Sequence, residues 1–253
     1  MKKTILCILA GCVFMSCNEL LQVANTVGTM STSTGVTNTE NVAGLKSALN
    51  IGIEDAVKSL GNTNGFLNNA ALKILLPPEA QVVVDNIKLI PGGQQLVENA
   101  ILSLNRSAED AVKEATPIFK SAITSMTITD ATGILFGGNS AATNYLHNKT
   151  YSQLKSAFAP KVRASLDKPF VANLSTYETW SSLTSAYNSV ANTPVGAIAG
   201  LKSVNVDLGE YVTEKALDAL FTKIAEEEKA IRVDPVARVN QILKKVFGQL
   251  DNK

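Results

Sequence analysis

The chain has 253 residues, with 23 basic and 22 acidic side chains and a formal net charge of +1. A charge so close to zero gives no electrostatic basis for binding nucleic acid or an anionic membrane surface. After the amino-terminal segment, no apolar run reaches the roughly 20 residues that a membrane-spanning helix needs.

The amino-terminal segment has the pattern of a secretion signal. Lys2 and Lys3 precede an apolar run over residues 5–15, too short to span a bilayer and typical of a signal-peptide core. A small residue before Cys17 resembles a bacterial lipobox, so we predict cleavage before Cys17 and its acylation; a plain secretory signal is the alternative. Asn18 directly after the cysteine favours an outer-membrane lipoprotein that faces the periplasm.

Cysteine usage agrees with that interpretation. Cys7 and Cys12 lie inside the predicted signal, which leaves Cys17 alone in the mature chain. Such a chain has no intramolecular disulfide, thiolate metal site or free catalytic thiol. Removal of Lys2 and Lys3 from the 23 basic residues leaves 21 against 22 acidic ones, a net charge of about −1.

We predict three segments: a signal peptide at 1–16, a lipidated flexible tether at 17–37, and a single all-helical domain at 38–253. The tether is rich in Ser, Thr, Gly and Asn and has no apolar period. Thr37 and Glu40 have the spacing of a capping box, which predicts the first folded helix at that point.

Apolar residues at helical spacing continue through the domain, and no strand alternation competes with them. A long helix from Gln94 has an alanine-rich face that suits a central position in a bundle. We expect Thr129 to cap a short helix, Pro160 to start another, and Ser175 with Glu178 to form a further capping box. The predicted fold class is all-α, a multi-helix bundle.

The best-specified stretch spans residues 206–248. Asp207 is a predicted N-cap for a long amphipathic helix, which Asp234 and Pro235 interrupt. A second helix is then predicted from Pro235, so that the chain ends in a helical hairpin or corner. The predicted inner face of this second helix carries Val236, Val239, Leu243 and Val246.

Several segments, in their order, resemble the bacterial family catalogued as domain of unknown function 4197. They are GLKSAL at Gly44, GFLNN at Gly65, LNRSAEDAV at Leu104, PIFKSAI at Pro117, MTITDATGIL at Met126, AATNYL at Ala141, and YVTEKALDALF with IAEEEKAIRVDPVARVNQILKKVFG near the end. The resemblance covers about Val42 to Gly248. It implies a secreted or lipid-anchored helical protein of a Gram-negative envelope and assigns no activity.

Two charged helical faces form the main candidate site. Its members are Asn105, Arg106, Glu109 and Asp110 on the long helix, and Glu226, Glu227, Glu228 and Arg232 on the C-terminal amphipathic helix. Spacings of three and four residues predict ion pairs within each helix. If the two faces met, their carboxylates could bind a hard cation or include a general acid. The alternative is a solvated face, or a charge network that fixes helix register.

Aromatic residues offer a second candidate site. Tyr177, Trp180 and Tyr187 lie on one helical stripe, where they either pack in the core or line a site for an apolar or sugar ligand. His147 is the only histidine and has no thiolate or G-x-S-x-G partner, so we predict a surface or helix-end position for it.

These patterns do not determine an activity, and we predict no catalytic residue, cofactor or nucleic-acid partner; the metal is unassigned. We expect a non-catalytic binding or assembly module, attached to the membrane through Cys17, with an envelope protein as partner. One alternative is a carrier of a lipid or other apolar ligand in an interhelical groove. The other is a carboxylate-dependent, metal-binding envelope hydrolase.

Overall fold

The computed structural model of the chain describes residues 35–81, 84–85, 93–171, 173–198 and 200–251. By their internal contacts, residues 38–253 form one unit of the chain and residues 1–37 another. The predicted signal peptide, Cys17 and most of the predicted tether lie outside the described residues.

Helices make up most of the described chain, which confirms the predicted all-α class. In chain order they are α1 (Asn38–Gly61), α2 (Gly93–Val112), α3 (Ala115–Thr124), α4 (Ile128–Leu135), α5 (Ala141–Leu166), α6 (Thr176–Ala191), α7 (Pro194–Ile198), α8 (Leu208–Val233) and α9 (Gln241–Phe247). Single 3-10 turns occur at Pro78–Ala80, Pro235–Ala237 and Gly248–Leu250. No helix of the described ranges is long and apolar enough to cross a membrane.

A short hairpin between α5 and α6 was not predicted. Its strands β1 (Pro169–Val171) and β2 (Leu174–Ser175) pair antiparallel, with Pro169 opposite Ser175. Asn173 has a positive φ of 63°, a conformation that asparagine tolerates better than most residues. The hairpin leads directly into α6, where the predicted reciprocal cap between Ser175 and Glu178 is present.

The other helices pack around α8, which lies against α5, α1 and α2. Asp207 begins this helix as predicted, because its carboxylate accepts a hydrogen bond of 3.1 Å from the backbone N–H of Glu210. Leu217 and Leu220 on its inner face are fully buried. Burial of one such side chain contributes about 1.5–3 kcal/mol to stability.

Small residues on one face of α1 let its neighbours approach closely. They recur every four positions, at Gly44, Ala48, Gly52 and Ala56. A Cβ atom added to Gly44 would lie 2.5 Å from Cγ2 of Val246 in α9, well inside van der Waals contact. A Cβ atom on Gly52 would lie 3.4 Å from Cβ of Glu227 in α8. The glycines therefore set the separation between α1 and the C-terminal helices.

Two predicted helix starts before α8 are wrong. Pro160 lies inside α5 and not at its start. Proline has no N–H to bond the carbonyl one turn earlier, but the proline ring is exposed, so that carbonyl lies on the solvent side. Buried residues on both sides of Pro160 hold the two halves of the helix in the bundle. Thr127, not Thr129, caps α4. Thr127 and Asp130 form a complete capping box there, with bonds of 3.1 Å to the Asp130 N–H and 3.0 Å to the Asp130 carboxylate.

We predict that Gly44→Ala lowers the free energy of unfolding by about 1–3 kcal/mol, because the added methyl group overlaps Val246. Urea denaturation of the variant measures this change. Gly133→Ala is the matched control, since Gly133 is also helical but has no atom within 4 Å of the added Cβ. Equal stability of the two variants would show that close packing at Gly44 is not required.

Candidate functional site

A buried ion pair joins consecutive turns of α8. Glu228 and Arg232 approach to 2.9 Å, and their side chains are only 5% and 6% exposed. The i, i+4 spacing places both on one face of the helix, as predicted. Because isolated charges are costly to bury, the remaining polar atoms of both side chains need partners.

Glu228 finds its partners at the start of α5. Its carboxylate accepts hydrogen bonds from the backbone N–H of Ala142 at 3.0 Å, from the N–H of Thr143 at 2.8 Å and from the Thr143 hydroxyl at 2.7 Å. Ser140, the residue at the usual capping position, makes no side-chain cap. Glu228 therefore caps α5 from another helix, where the free N–H groups and the helix dipole favour negative charge.

Arg232 finds its partners at the end of α4. Its guanidinium donates to the carbonyl of Ile134 at 2.7 Å and to that of Leu135 at 3.1 Å. It also donates from Nε to Glu228 at 3.0 Å. The carbonyls at a helix C-terminus favour a cation, so each charge of the pair meets the helix end that suits it. The pair thus fixes the α4–α5 connection and leaves no oxygen free for a metal.

The predicted residues of α2 belong to a separate network. Asn105 exchanges two hydrogen bonds with the backbone of Ile74, at 2.9 and 2.8 Å. Arg106 contacts Glu109 at 2.5 Å and the Asn64 side chain at 2.7 Å. Of the buried side-chain polar atoms in the described part, Oε1 of Glu109 has no hydrogen-bond partner. Asp110 lies at the surface, 3.2 Å from Lys113 and 3.6 Å from Lys168.

Glu226 and Glu227 have different surroundings from Glu228. Glu226 pairs with Lys223 at 2.6 Å on the exposed side of α8. Glu227 is half-buried against α1, and this burial raises the pKa of its carboxyl group above the usual value. Across the described ranges, no hydrogen bond or ion pair joins the α2 members of the predicted cluster to its α8 members. Nor does any group of three His, Cys, Asp or Glu lie there in position to hold a metal ion.

The three aromatic residues of α6 occupy unlike positions. Trp180 is 8% exposed and donates from Nε1 to the carbonyl of Val206 at 3.2 Å, so its ring belongs to the core. Tyr177 is half-buried beneath the guanidinium of Arg163, whose carbon lies 5.1 Å from the ring centre. Tyr187 is also half-buried. His147 is exposed on α5, in agreement with the surface position predicted for it.

Three exposed valines lie at the end of α8 and in the turn that follows it. Val233, Val236 and Val239, here called the valine corner, are 65%, 85% and 66% exposed. The predicted helix from Pro235, with Val236 and Val239 on its inner face, is therefore wrong. The chain makes one 3-10 turn, and α9 begins after Asn240, whose side chain accepts from the N–H of residue 243.

Arg238 holds this corner in shape, although the sequence analysis did not identify it. The side chain is 2% exposed and donates to the backbone carbonyls of Ile231 and Arg232, at 3.0 and 2.9 Å. It also makes two bonds of 2.6 and 2.7 Å to Asp251, and these hydrogen bonds lower the pKa of the Asp251 carboxyl group. The only sequence-level reason to expect this role is that the last carbonyls of a helix have no donor within the helix and need one from elsewhere.

A surface hollow of about 730 Å³ adjoins the corner. Its lining comprises Pro235, Val236, Arg238, Val239, Lys244 and Asp251. Large exposed apolar side chains next to a concave surface, rimmed by charged groups, are typical of interaction sites. The corner and its hollow therefore form a candidate interaction site of the described chain.

We expect Glu228→Ala to lower the free energy of unfolding by about 3–5 kcal/mol, because it leaves the buried charge of Arg232 uncompensated. Glu226→Ala is the matched control on the same helix, where loss of an exposed pair costs about 1 kcal/mol at most. Chemical denaturation of both variants makes the comparison. Similar losses would contradict the structural role assigned to Glu228.

The chain matches a known protein family. The family described as Protein of unknown function (DUF4197) matches residues 35–248, a span that includes every helix from α1 to α9. No curated protein and no solved structure matches the chain. Because the match covers most of the sequence and agrees with the resemblance carried by its ordered segments, the chain belongs to the DUF4197 family.

Proposed function

We propose that the protein is a non-catalytic binding module of the cell envelope, which docks a protein partner through the valine corner. The exposure of Val233, Val236 and Val239 is the observation that carries this proposal. These three solvated valines do not contribute to the core of the bundle, whereas a partner that covers them removes apolar surface from water.

The rigidity of the corner supports a binding role. Asp234 accepts a hydrogen bond of 2.8 Å from the N–H of Val236, and Pro235 restricts the backbone between them. The side chain of Arg238 bonds to carbonyls near the end of α8 and so holds the turn in place. A surface that is already ordered loses little conformational entropy when it binds, so more of the contact energy remains as affinity.

The two alternative functions have less support. A carrier needs an apolar space between helices that is large enough for an acyl chain, but the hollow between α1 and α8 has a volume of about 30 Å³, enough for one or two water molecules. The larger hollow of about 730 Å³ lies at the surface beside the valine corner, with Arg238, Lys244 and Asp251 in its lining. A carboxylate-dependent hydrolase needs carboxylates that converge on one point. Both carboxylate oxygens of Glu228 instead accept hydrogen bonds from the start of α5 or from Arg232.

We further propose that lipid on Cys17 attaches this module to the outer membrane, with the folded domain in the periplasm. The support is the sequence alone: two lysines, an apolar run and a small residue directly before Cys17. Attachment at the start of a Ser/Thr-rich tether would leave the domain free to meet a partner at some distance from the bilayer.

We expect Cys17→Ala to abolish incorporation of labelled fatty acid and to move the protein from the membrane to the soluble envelope fraction. Cys12→Ala is the control, because Cys12 lies within the signal that would be removed. Retention of both label and membrane attachment in Cys17→Ala would overturn the anchor while leaving the docking proposal intact.

We expect a photo-crosslinking amino acid at position 236, introduced into the full chain in its native envelope, to trap one defined partner. The matched control is position 195, because Val195 is also an exposed valine, at 73%, but lies on α7. Val233→Lys should abolish the adduct, since it places a charge inside the apolar contact. The same adducts at both positions, or adducts only with a second copy of the chain, would overturn a distinct protein partner.

A further inference from the structure

The segment between α1 and the 3-10 turn at Pro78–Ala80 contains an extended stretch. Both the N–H and the C=O of Ile74 bond to the side-chain amide of Asn105, at 2.9 and 2.8 Å. One planar amide can reach both groups only if they point to the same side, as they do in a β-strand. Ile74 is buried while Leu75 is 55% exposed, which is the alternation of an extended chain.

Successive residues of an extended chain direct their backbone groups to opposite sides, so Lys73 and Leu75 face away from Asn105. The N–H of Lys73 donates to the carbonyl of Asn69 at 2.8 Å. Within the described ranges, the C=O of Lys73 and both the N–H and C=O of Leu75 have no hydrogen-bond partner. These three groups are arranged like the unpaired N–H and C=O groups of an edge strand.

A hollow of about 290 Å³ separates this edge from the outer face of α8. Residues 71–75 form one wall, and Tyr211, Lys215, Asp218, Ala219 and Thr222 form the other. Lys215 lies 3.7 Å from Asp218, and its ammonium group lies 5.9 Å from the centre of the Tyr211 ring. The space therefore combines polar and apolar lining residues, a charge of each sign and an unpaired backbone edge.

We propose that the edge from Lys73 to Leu75 binds an extended peptide segment of a protein partner by strand addition. The peptide backbone bonds to the free N–H and C=O of Leu75 and to the C=O of Lys73. The exposed Leu75 side chain selects an apolar or β-branched residue opposite it, because such cross-strand pairs are favourable. Lys215 and Asp218 contact polar side chains at the neighbouring positions of the peptide.

The edge is short, which sets the strength of the interaction. The C=O of Pro77 accepts a hydrogen bond of 2.9 Å from Ala80, and proline has no N–H, so the edge ends there. Three backbone bonds give weak, rapidly reversible binding unless side chains contribute. The edge faces the N-terminal part of α8, whereas the valine corner follows its C-terminus, so either surface can fail without the other.

The test measures hydrogen exchange at the Leu75 amide in the full chain purified from the envelope in detergent. The probes are capped hexapeptides that alternate Thr with Val, Ile or Phe. We expect saturating peptide to slow exchange of this amide about tenfold, since a free N–H becomes a bonded one. A matched peptide with N-methyl groups along its bonding edge should have no effect. Unchanged exchange with every probe overturns the proposal.

Two variants separate the backbone from the side chain. Leu75→Pro removes the leucine side chain together with the N–H of the edge, and the extended Ile74 before it is compatible with a following proline. Leu75→Ala removes the side chain but keeps both backbone groups. We expect peptide affinity, measured by fluorescence anisotropy, to fall at least about fivefold further in Leu75→Pro than in Leu75→Ala. Equal affinity in the two variants would overturn strand addition, and urea denaturation verifies that both remain folded.

Discussion

The buried pair of Glu228 and Arg232 fixes one joint, the place where α8 meets the end of α4 and the start of α5. The C-terminal half of the structure depends on this joint. Its carboxylate meets the N-terminus of α5, and its guanidinium meets the C-terminus of α4. A pair of isolated charges would be costly in this position, but here each charge faces the helix end with the opposite partial charge. Because both residues lie on one face of α8, on consecutive turns, the joint fixes the rotation of α8 as well as its position.

The position of the valine corner follows from that joint. The carbonyl of Arg232 accepts a hydrogen bond from Arg238, so the residue that closes the joint also holds the turn after α8. Asp251 completes the arrangement from beyond α9. On the other side of α9, Gly44 allows Val246 to approach α1. Two close contacts, one polar and one apolar, therefore define where the corner lies relative to the bundle.

Sequence patterns predicted interactions that are local in the chain. The N-cap at Asp207 and the ion pair of Glu228 with Arg232 each involve residues three or four positions apart, and a helix fixes such spacings by itself. The partners of Glu228 in α5 lie 85 and 86 positions away. No spacing rule connects residues so distant, because their meeting depends on how whole helices pack.

The corner was mispredicted for a different physical reason. Helical spacing placed Val236 and Val239 on the face that carries the buried Leu243, but periodicity only identifies apolar residues and does not determine whether a helix forms. At this point Asp234 and Asn240 both cap, and the backbone between two caps is too short for a regular helix. Arg238 then satisfies carbonyls that a continuing helix would have bonded internally.

The polar networks also bear on what kind of activity this scaffold suits. Catalytic carboxylates need an oxygen that can reach a substrate, and Glu228 and Asp251 are occupied by arginines or helix N–H groups. The exposed groups on which the two proposed surfaces rest are instead valine side chains and the backbone edge at Leu75. Both are features that another protein can cover.

The size of these surfaces sets the expected mode of binding. A stable protein interface buries about 800 Å² on each partner, more than three valines provide, so a partner at the corner must also contact the surrounding hollow and Lys244. The edge at Leu75 supplies only three backbone bonds. A partner that engaged both surfaces through one flexible chain would bind far more tightly than through either alone, since the second contact would be intramolecular. The two proposed surfaces, each weak alone on a rigid scaffold, therefore suit a multivalent or tethered partner.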